Sequence, residues 1–173
     1  MRRTLLAALA FASLAVPASA AAVWQPYANT EQGVRAEFPG APSVEREQKP
    51  FEGGEGQLDL ITASTLVDDQ DYYALATTRF PVDGPADTAQ LLDMAAEGAV
   101  GAVNGTVISS QHSQVNGIET MDVVASAVVE GQALKAYIRI QFKGRVLYQA
   151  IVVDTGPSNE ADALRFTRSM RLT

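Results

Sequence analysis

The sequence predicts an α+β fold in which an antiparallel β-sheet meander is flanked by helices. Four segments with strand character follow one another in the second half, separated by two-residue links that contain glycine. A helical stripe of apolar residues interrupts the strands in the middle of the chain, and a second amphipathic segment closes it. Strands and helices in this order are typical of a largely antiparallel sheet with helices packed against it.

The first twenty of the 173 residues have the pattern of an export signal. Arg2 and Arg3 form a basic head, residues 5–16 form an apolar run, and Ala18-Ser19-Ala20 is a small-x-small cleavage pattern. We expect Sec-type export to a periplasm with cleavage near Ala20. The apolar run is too short for a spanning helix, so we expect no stable membrane insertion. Residues 21–173 are predicted to form a single α+β domain.

The first half of this domain is predicted to contain strands followed by one helix. Apolar and charged residues alternate over residues 34–38, and Pro39-Gly40-Ala41-Pro42 ends that strand. An edge strand is expected near residues 44–47, followed by strands at 58–67 and 72–80. The helix should begin near Ala86 or Asp87 and end at Asn104-Gly105. We expect Gly98 and Gly101 to let its backbone approach the sheet.

The second half predicts four antiparallel strands and a closing helix. The strands are expected at residues 106–115, 118–129, 132–142 and 145–153. The last of them is apolar on both sides, which predicts cover on both faces. The closing helix should start with Ser158 or Asn159 as its N-cap. Three of its residues are predicted to face the core: Ala163, Phe166 and Met170. Three arginines gather toward its C-terminal end, where the helix dipole favours positive charge: Arg165, Arg168 and Arg171.

The charge and composition exclude several classes of function. The net charge is −7, and removal of Arg2 and Arg3 with the signal gives 11 − 20 = −9. An acidic chain lacks the basic footprint of nucleic-acid binding and is poorly suited to an anionic bilayer. The absence of cysteine excludes disulfides, thiolate metal sites and thiol nucleophiles, and a single histidine excludes multi-histidine metal sites.

The histidine is the one residue that invites a catalytic interpretation. His112 lies in a polar strand near several serines, and a Ser–His arrangement with Asp122 across the Asn-Gly hairpin is conceivable. No nucleophile elbow or equivalent motif accompanies it. We therefore predict no catalytic residue and no cofactor.

An acidic turn is the only candidate for a metal site. Asp68, Asp69 and Asp71 are candidate ligands for a hard cation such as Ca²⁺, which prefers several carboxylates on one loop. The alternation and terminal glutamate of an EF-hand are missing, so a solvated hairpin turn is the competing interpretation.

Aromatic residues provide the candidate contacts with a partner or ligand. Trp24 and Tyr27 precede the first strand and either close one end of the core or form an exposed contact. Tyr137 and Arg139 share the polar face of their strand, which is either a contact patch or a face covered by a helix. Tyr72 and its neighbour point to opposite sides, so one of the two should be exposed.

Four segments resemble the PsbP-like superfamily. They are Glu37-Phe38-Pro39-Gly40-Ala41-Pro42, Leu91-Leu92-Asp93, Gly144-Arg145-Val146-Leu147-Tyr148-Gln149 and Phe166-Thr167-Arg168-Ser169. The resemblance implies an α/β/α-like sandwich around an antiparallel sheet and a non-catalytic accessory or binding role. These segments mark structural positions, and no functional residue of the family carries over to this sequence.

The sequence therefore favours an exported, soluble binding or accessory protein that contacts a protein partner in the periplasm. The alternative is a small-molecule carrier with a pocket between sheet and helix, lined by residues such as Tyr148 and Phe166. A hydrolase is the third hypothesis.

Overall fold

The computed structural model describes residues 23–68, 70–83, 87–129, 131–155 and 160–173. The predicted export signal, Asp69, Ala86 and the predicted helix start at Ser158 or Asn159 lie outside the described residues. The elements in chain order are β1 (Gln25–Asn29), β2 (Val34–Phe38), β3 (Ser43–Pro50), β4 (Gln57–Val67), β5 (Asp71–Arg79), α1 (Thr88–Gly101), β6 (Thr106–Val115), β7 (Ile118–Val129), β8 (Gln132–Lys143), β9 (Val146–Asp154), α2 (Glu160–Ser169) and β10 (Arg171–Leu172).

The main sheet has seven strands in the order β3-β4-β5-β9-β8-β7-β6, and all neighbours are antiparallel. The predicted meander of β6 to β9 is confirmed. Asn116 and Gly117 both have positive φ, at 54° and 76°, as a tight hairpin turn requires. The last link lies one residue later than predicted, at Gly144-Arg145, because β8 continues through Lys143.

Two helices cover opposite faces of this sheet, which explains why β8 is buried on both sides. Ile138 and Ile140 face α1 in one apolar cluster, whereas Tyr137 faces α2 in the other. Because successive side chains of a strand point to opposite faces, one strand contributes to both clusters. The α+β class is confirmed.

A second, smaller sheet lies beside α2 and was not predicted. β2 pairs with β1 on one side and with the two-residue strand β10 on the other. The sequence indicated β2 alone, since β1 and β10 are too short to show a periodic pattern. The inner face of this sheet adds Val34, Ala36 and Phe38 to the cluster under α2.

Helix α1 is positioned by its N-terminal cap. The Asp87 carboxylate accepts a hydrogen bond of 3.1 Å from the Gln90 amide, as an N-cap residue does. Past the end of the helix Asn104 has a φ of 50°, and the Gly105 amide donates to the Val100 carbonyl at 2.9 Å. The predicted boundaries of this helix are therefore close to those observed.

The expected role of the helix glycines is wrong. A Cβ atom at Gly98 or Gly101 would meet nothing within 4 Å, so neither glycine is needed for close approach to the sheet.

The two faces of β9 are covered to different extents, although the sequence predicted cover on both. Its residues facing α2 are buried, but Leu147 and Ile151 on the α1 face are only half-buried, because α1 packs mainly on β6, β7 and β8.

Candidate functional site

The C-terminal end of α2 and the outer face of the small sheet bring together Arg35, Arg165 and Arg171, which we call the arginine patch. Arg35 lies on β2 and Arg171 on β10, directly opposite each other. Arg165 is exposed on α2 and contacts Glu37 on β2, whereas Arg168, also exposed, lines a separate cleft with residues of β6 and β7. An open cleft of about 640 Å³ runs over this surface, and its lining includes Tyr27, Arg35, Arg171 and one acidic residue, Glu37. The patch concentrates positive charge on a chain whose net charge is −7.

Trp24 is held at the edge of the arginine patch by contacts on two sides. Its ring meets that of Tyr73 edge-on, with 6.1 Å between centroids. The Arg165 guanidinium lies 4.2 Å from the centroid of the Trp24 ring, within the range of a cation–π contact. Arg165 also donates to Glu37 Oε2 through two nitrogens, at 3.0 and 3.2 Å. The Trp24 indole is therefore half-buried, and its orientation is fixed by Tyr73 on one side and Arg165 on the other.

Tyr27 is also half-buried, with its ring 5.6 Å from that of Phe38 in an edge-on contact. Both candidate aromatics thus close one end of the core while bordering the arginine patch. The prediction for the tyrosine pair on β5 is confirmed, since Tyr72 is 38% exposed and Tyr73 is buried.

Tyr137 and Arg139, the other two candidate contacts, are buried beneath α2 with 2% and 7% of their surface exposed. Of the two predicted alternatives, this strand face is therefore the one covered by a helix, and neither side chain is accessible to a partner in this structure. Arg139 donates to both carboxylate oxygens of Asp122, at 2.7 and 2.9 Å. This fork-shaped geometry is the strongest form of an arginine–carboxylate pair.

The conceivable Ser–His–Asp arrangement is not formed. Asp122 is opposite Gln111 and His112 is opposite Met121, so the two side chains point to opposite faces of the sheet. His112 Nε2 instead lies 2.9 Å from Asp93 Oδ1 on α1. With Asp122 bound to Arg139 on the other face, the geometry gives no support to the hydrolase hypothesis.

The acidic turn between β4 and β5 brings carboxylates to the end of the sheet. Asp71 lies directly opposite Asp154, which is buried. Within the described ranges, no group of three or more histidine, cysteine or acidic residues is placed to hold a metal ion. Burial, together with the charge of Asp154, raises the pKa of Asp71 to about 6.

Replacing Asp71 with asparagine should stabilise the protein at pH 7.5 and have little effect near pH 3.5. Folding raises the pKa of this carboxyl from 3.8 to about 6, so wild-type stability falls as the pH rises through this interval. After discounting for partial solvent exposure, we expect a gain of about 1 kcal/mol at pH 7.5. Urea unfolding of the wild-type protein and the variant at both pH values measures this gain in stability, with Glu55→Gln in an exposed loop as the control. An equal difference at both pH values would contradict the prediction.

The pocket predicted around Tyr148 and Phe166 is not present, because the space between the sheet and the closing helix is filled there. Phe166 has no exposed surface, and the Tyr148 hydroxyl donates to the Gln32 carbonyl at 2.8 Å. An apolar groove of about 460 Å³ lies instead on the opposite face, between α1 and β9. Its lining includes Ala95, Gly98, Leu147 and Ile151.

The architecture is PsbP-like. The solution structure of cyanobacterial PsbP (CyanoP) from Synechocystis sp. PCC 6803 is similar, with a TM-score of 0.60 over 88% of this chain and 94% of that chain. The sequence identity is 12%, so the likeness shows the fold alone. A Pseudomonas aeruginosa protein of unknown function, PA94, gives a TM-score of 0.40 at 12% identity, over 76% of this chain and 83% of that chain.

No protein-family model and no curated protein matches the sequence. The likeness to cyanobacterial PsbP confirms the predicted resemblance to the PsbP-like superfamily at the level of the fold alone. In the part of the chain that is described, no helix has the length and apolar character needed to cross a membrane.

Proposed function

We propose that this protein is an exported, non-catalytic accessory protein that binds a protein partner in the periplasm through the arginine patch. The observation that carries the proposal is the pairing of Arg35 with Arg171 on neighbouring strands. Like charges directly opposite each other destabilise a sheet. Within the described residues, neither guanidinium forms a salt bridge. Arg171 Nη1 donates to the backbone carbonyls of Arg168 and Met170 at the end of α2, which do not neutralise its charge. A carboxylate-rich partner surface would therefore relieve the repulsion between the two arginines.

The surroundings of the arginine pair suit a protein surface. Trp24 supplies a rigid aromatic group at the edge of the patch, and tryptophan and arginine are the residues that most often anchor interfaces. The cleft is open and lies over a small sheet, which fits a broad contact better than an enclosed ligand. The opposite charges of this patch and of the rest of the chain would also orient the protein as it approaches an acidic partner.

The Arg35→Glu variant tests this proposal because it should act on stability and binding in opposite directions. A glutamate opposite Arg171 replaces repulsion with attraction, so folding stability should rise by a few tenths of a kcal/mol. Binding to an acidic partner should fall at least tenfold. The tagged protein and the variant would be isolated from the native periplasm after mild crosslinking, and the partner would be quantified by mass spectrometry.

Lys143→Glu is the matched control, since it makes the same charge change at an exposed site outside the patch. It should leave partner recovery unchanged. Equal recovery with Arg35→Glu, or no reproducible partner for the wild-type protein, would contradict the proposal.

A small-molecule carrier is the second candidate function, and the apolar groove between α1 and β9 favours it. Native mass spectrometry of the same purified material distinguishes the two. A reproducible extra mass of a small molecule, with no second protein present, would support the carrier.

A further inference from the structure

The seven-stranded sheet ends in two edge strands of very different character. β3, at one edge, carries Glu45, Arg46, Glu47 and Lys49 and ends at Pro50. Charged side chains and proline are the features by which natural proteins prevent pairing between exposed edges. β6, at the other edge, is ten residues long and contains neither a charged residue nor a proline. β3 is therefore protected against strand addition by charge and proline, whereas β6 has neither and carries only a bulge between Val107 and Ser109.

The free edge of β6 is suited to pair with another strand. Only β7 lies beside β6 among the described strands, so the backbone groups on its other side point away from the sheet. The pairing with β7 is regular from Ser109 to Val115, after a bulge between Val107 and Ser109. A regular, extended edge presents alternating donors and acceptors, and these specify an extended strand as the occupant.

Exposed apolar residues lie at the N-terminal end of the same edge. Ile108 is 58% exposed and Val107 is 46% exposed. Thr106 is opposite Ser126, so Val128 continues the neighbouring strand just beyond the start of β6, and it is 68% exposed. A cluster of exposed apolar side chains beside an unprotected edge is typical of a surface that is covered in an assembly.

The nearest acidic groups are largely engaged within the chain. Asp93 contacts His112 at 2.9 Å on one face, and Asp122 is bound to Arg139 at 2.7 Å on the other. Glu119, opposite Gln114, is half-buried on β7. β6 itself contains no acidic residue, so none of the chain's negative charge lies on the edge strand.

We propose that β6 pairs antiparallel with β6 of a second copy of this chain about a two-fold axis. A two-fold pair covers both unprotected edges at once, and the charged β3 strands then form the outer edges of the continuous sheet. A strand that carries no charge meets an identical strand without like-charge repulsion. These features favour a second copy over a foreign strand, whose own second edge would remain open.

The absence of cysteine from the chain allows a direct test. Single cysteines placed at Ser109, Ser110, Gln111 or Ser113 should form an intermolecular disulfide under mild oxidation, most efficiently at the position nearest the axis. Cysteine at Glu47, on the opposite edge, is the control and should stay reduced. Sedimentation of the purified wild-type protein should show a concentration-dependent dimer.

A matched pair of lysine variants completes the test. Ser110→Lys places two like charges near the proposed axis and should raise the dimer dissociation constant at least tenfold. Ser43→Lys makes the same change on β3 and should leave it unchanged. A wild-type protein that stays monomeric up to high concentration would overturn the proposal, as would a dimer insensitive to Ser110→Lys and crosslinked only through Glu47→Cys. These results leave the arginine patch untested, so the two proposals fail separately.

Discussion

Replacing Phe166 with alanine should lower the free energy of unfolding by about 4 kcal/mol, the largest effect that we expect from a single substitution. Phe166 has no exposed surface. Its ring centroid lies 4.8 Å from that of Phe38 on the small sheet and 5.4 Å from that of Tyr73 on the main sheet. One side chain therefore joins α2 to both sheets, and its removal leaves a cavity where the three elements meet.

Urea unfolding followed by the fluorescence of Trp24, the single tryptophan, measures this loss. Leu164→Ala is the matched control, because Leu164 lies on the same helix but is only half-buried. It should reduce stability by about 1 kcal/mol, in proportion to the smaller buried area. A loss below about 2 kcal/mol for Phe166→Ala would mean that α2 is not packed between the two sheets as described.

Replacing Asp122 with alanine should reduce stability by about 2 kcal/mol, because it leaves the buried Arg139 without its carboxylate. Only 9% of the Arg139 side chain is exposed, against 41% of the Asp122 side chain. A cleft of about 330 Å³ opens beside Asp122 and lets water approach. The loss is therefore expected to stay below the 3–5 kcal/mol typical of a fully buried pair, as an order of magnitude.

The double variant Asp122→Leu with Arg139→Met separates a structural ion pair from a wider charge network. Apolar replacement of both partners removes the unpaired charge, so most of the lost stability should return. The measurement is again urea unfolding of the single and double variants. A double variant at least as unstable as Asp122→Ala would show that Arg139 stabilises the sheet through contacts other than Asp122.

Local signals in the sequence were sufficient to locate most of the elements. Asn116-Gly117 predicted its hairpin, because both residues tolerate the positive φ that the turn needs. Asp87 marked the start of α1, since its carboxylate caps the free amides there. The short strands β1 and β10 gave no such signal, because their pairing with β2 depends on residues distant along the chain.

The candidate site also depends partly on local sequence signals and partly on contacts between distant residues. The sequence shows a local cluster of arginines near the end of α2, but only the fold places Arg35 opposite Arg171. Conversely, the sequence left open whether Tyr137 and Arg139 form a contact patch or lie on a covered face, because alternation along one strand does not reveal what packs on that strand. The cover supplied by α2 buries both residues.

The sequence by itself determined the α+β class, the antiparallel meander of β6 to β9 and the approximate positions of both helices. Those features depend on periodicity, turn residues and caps, which act within a few residues of the chain. Only the tertiary structure decided which polar residues are buried, which sheet edge is open and where the arginines converge. These properties arise from contacts between residues far apart in sequence, such as Arg165 with Glu37, which no local pattern encodes.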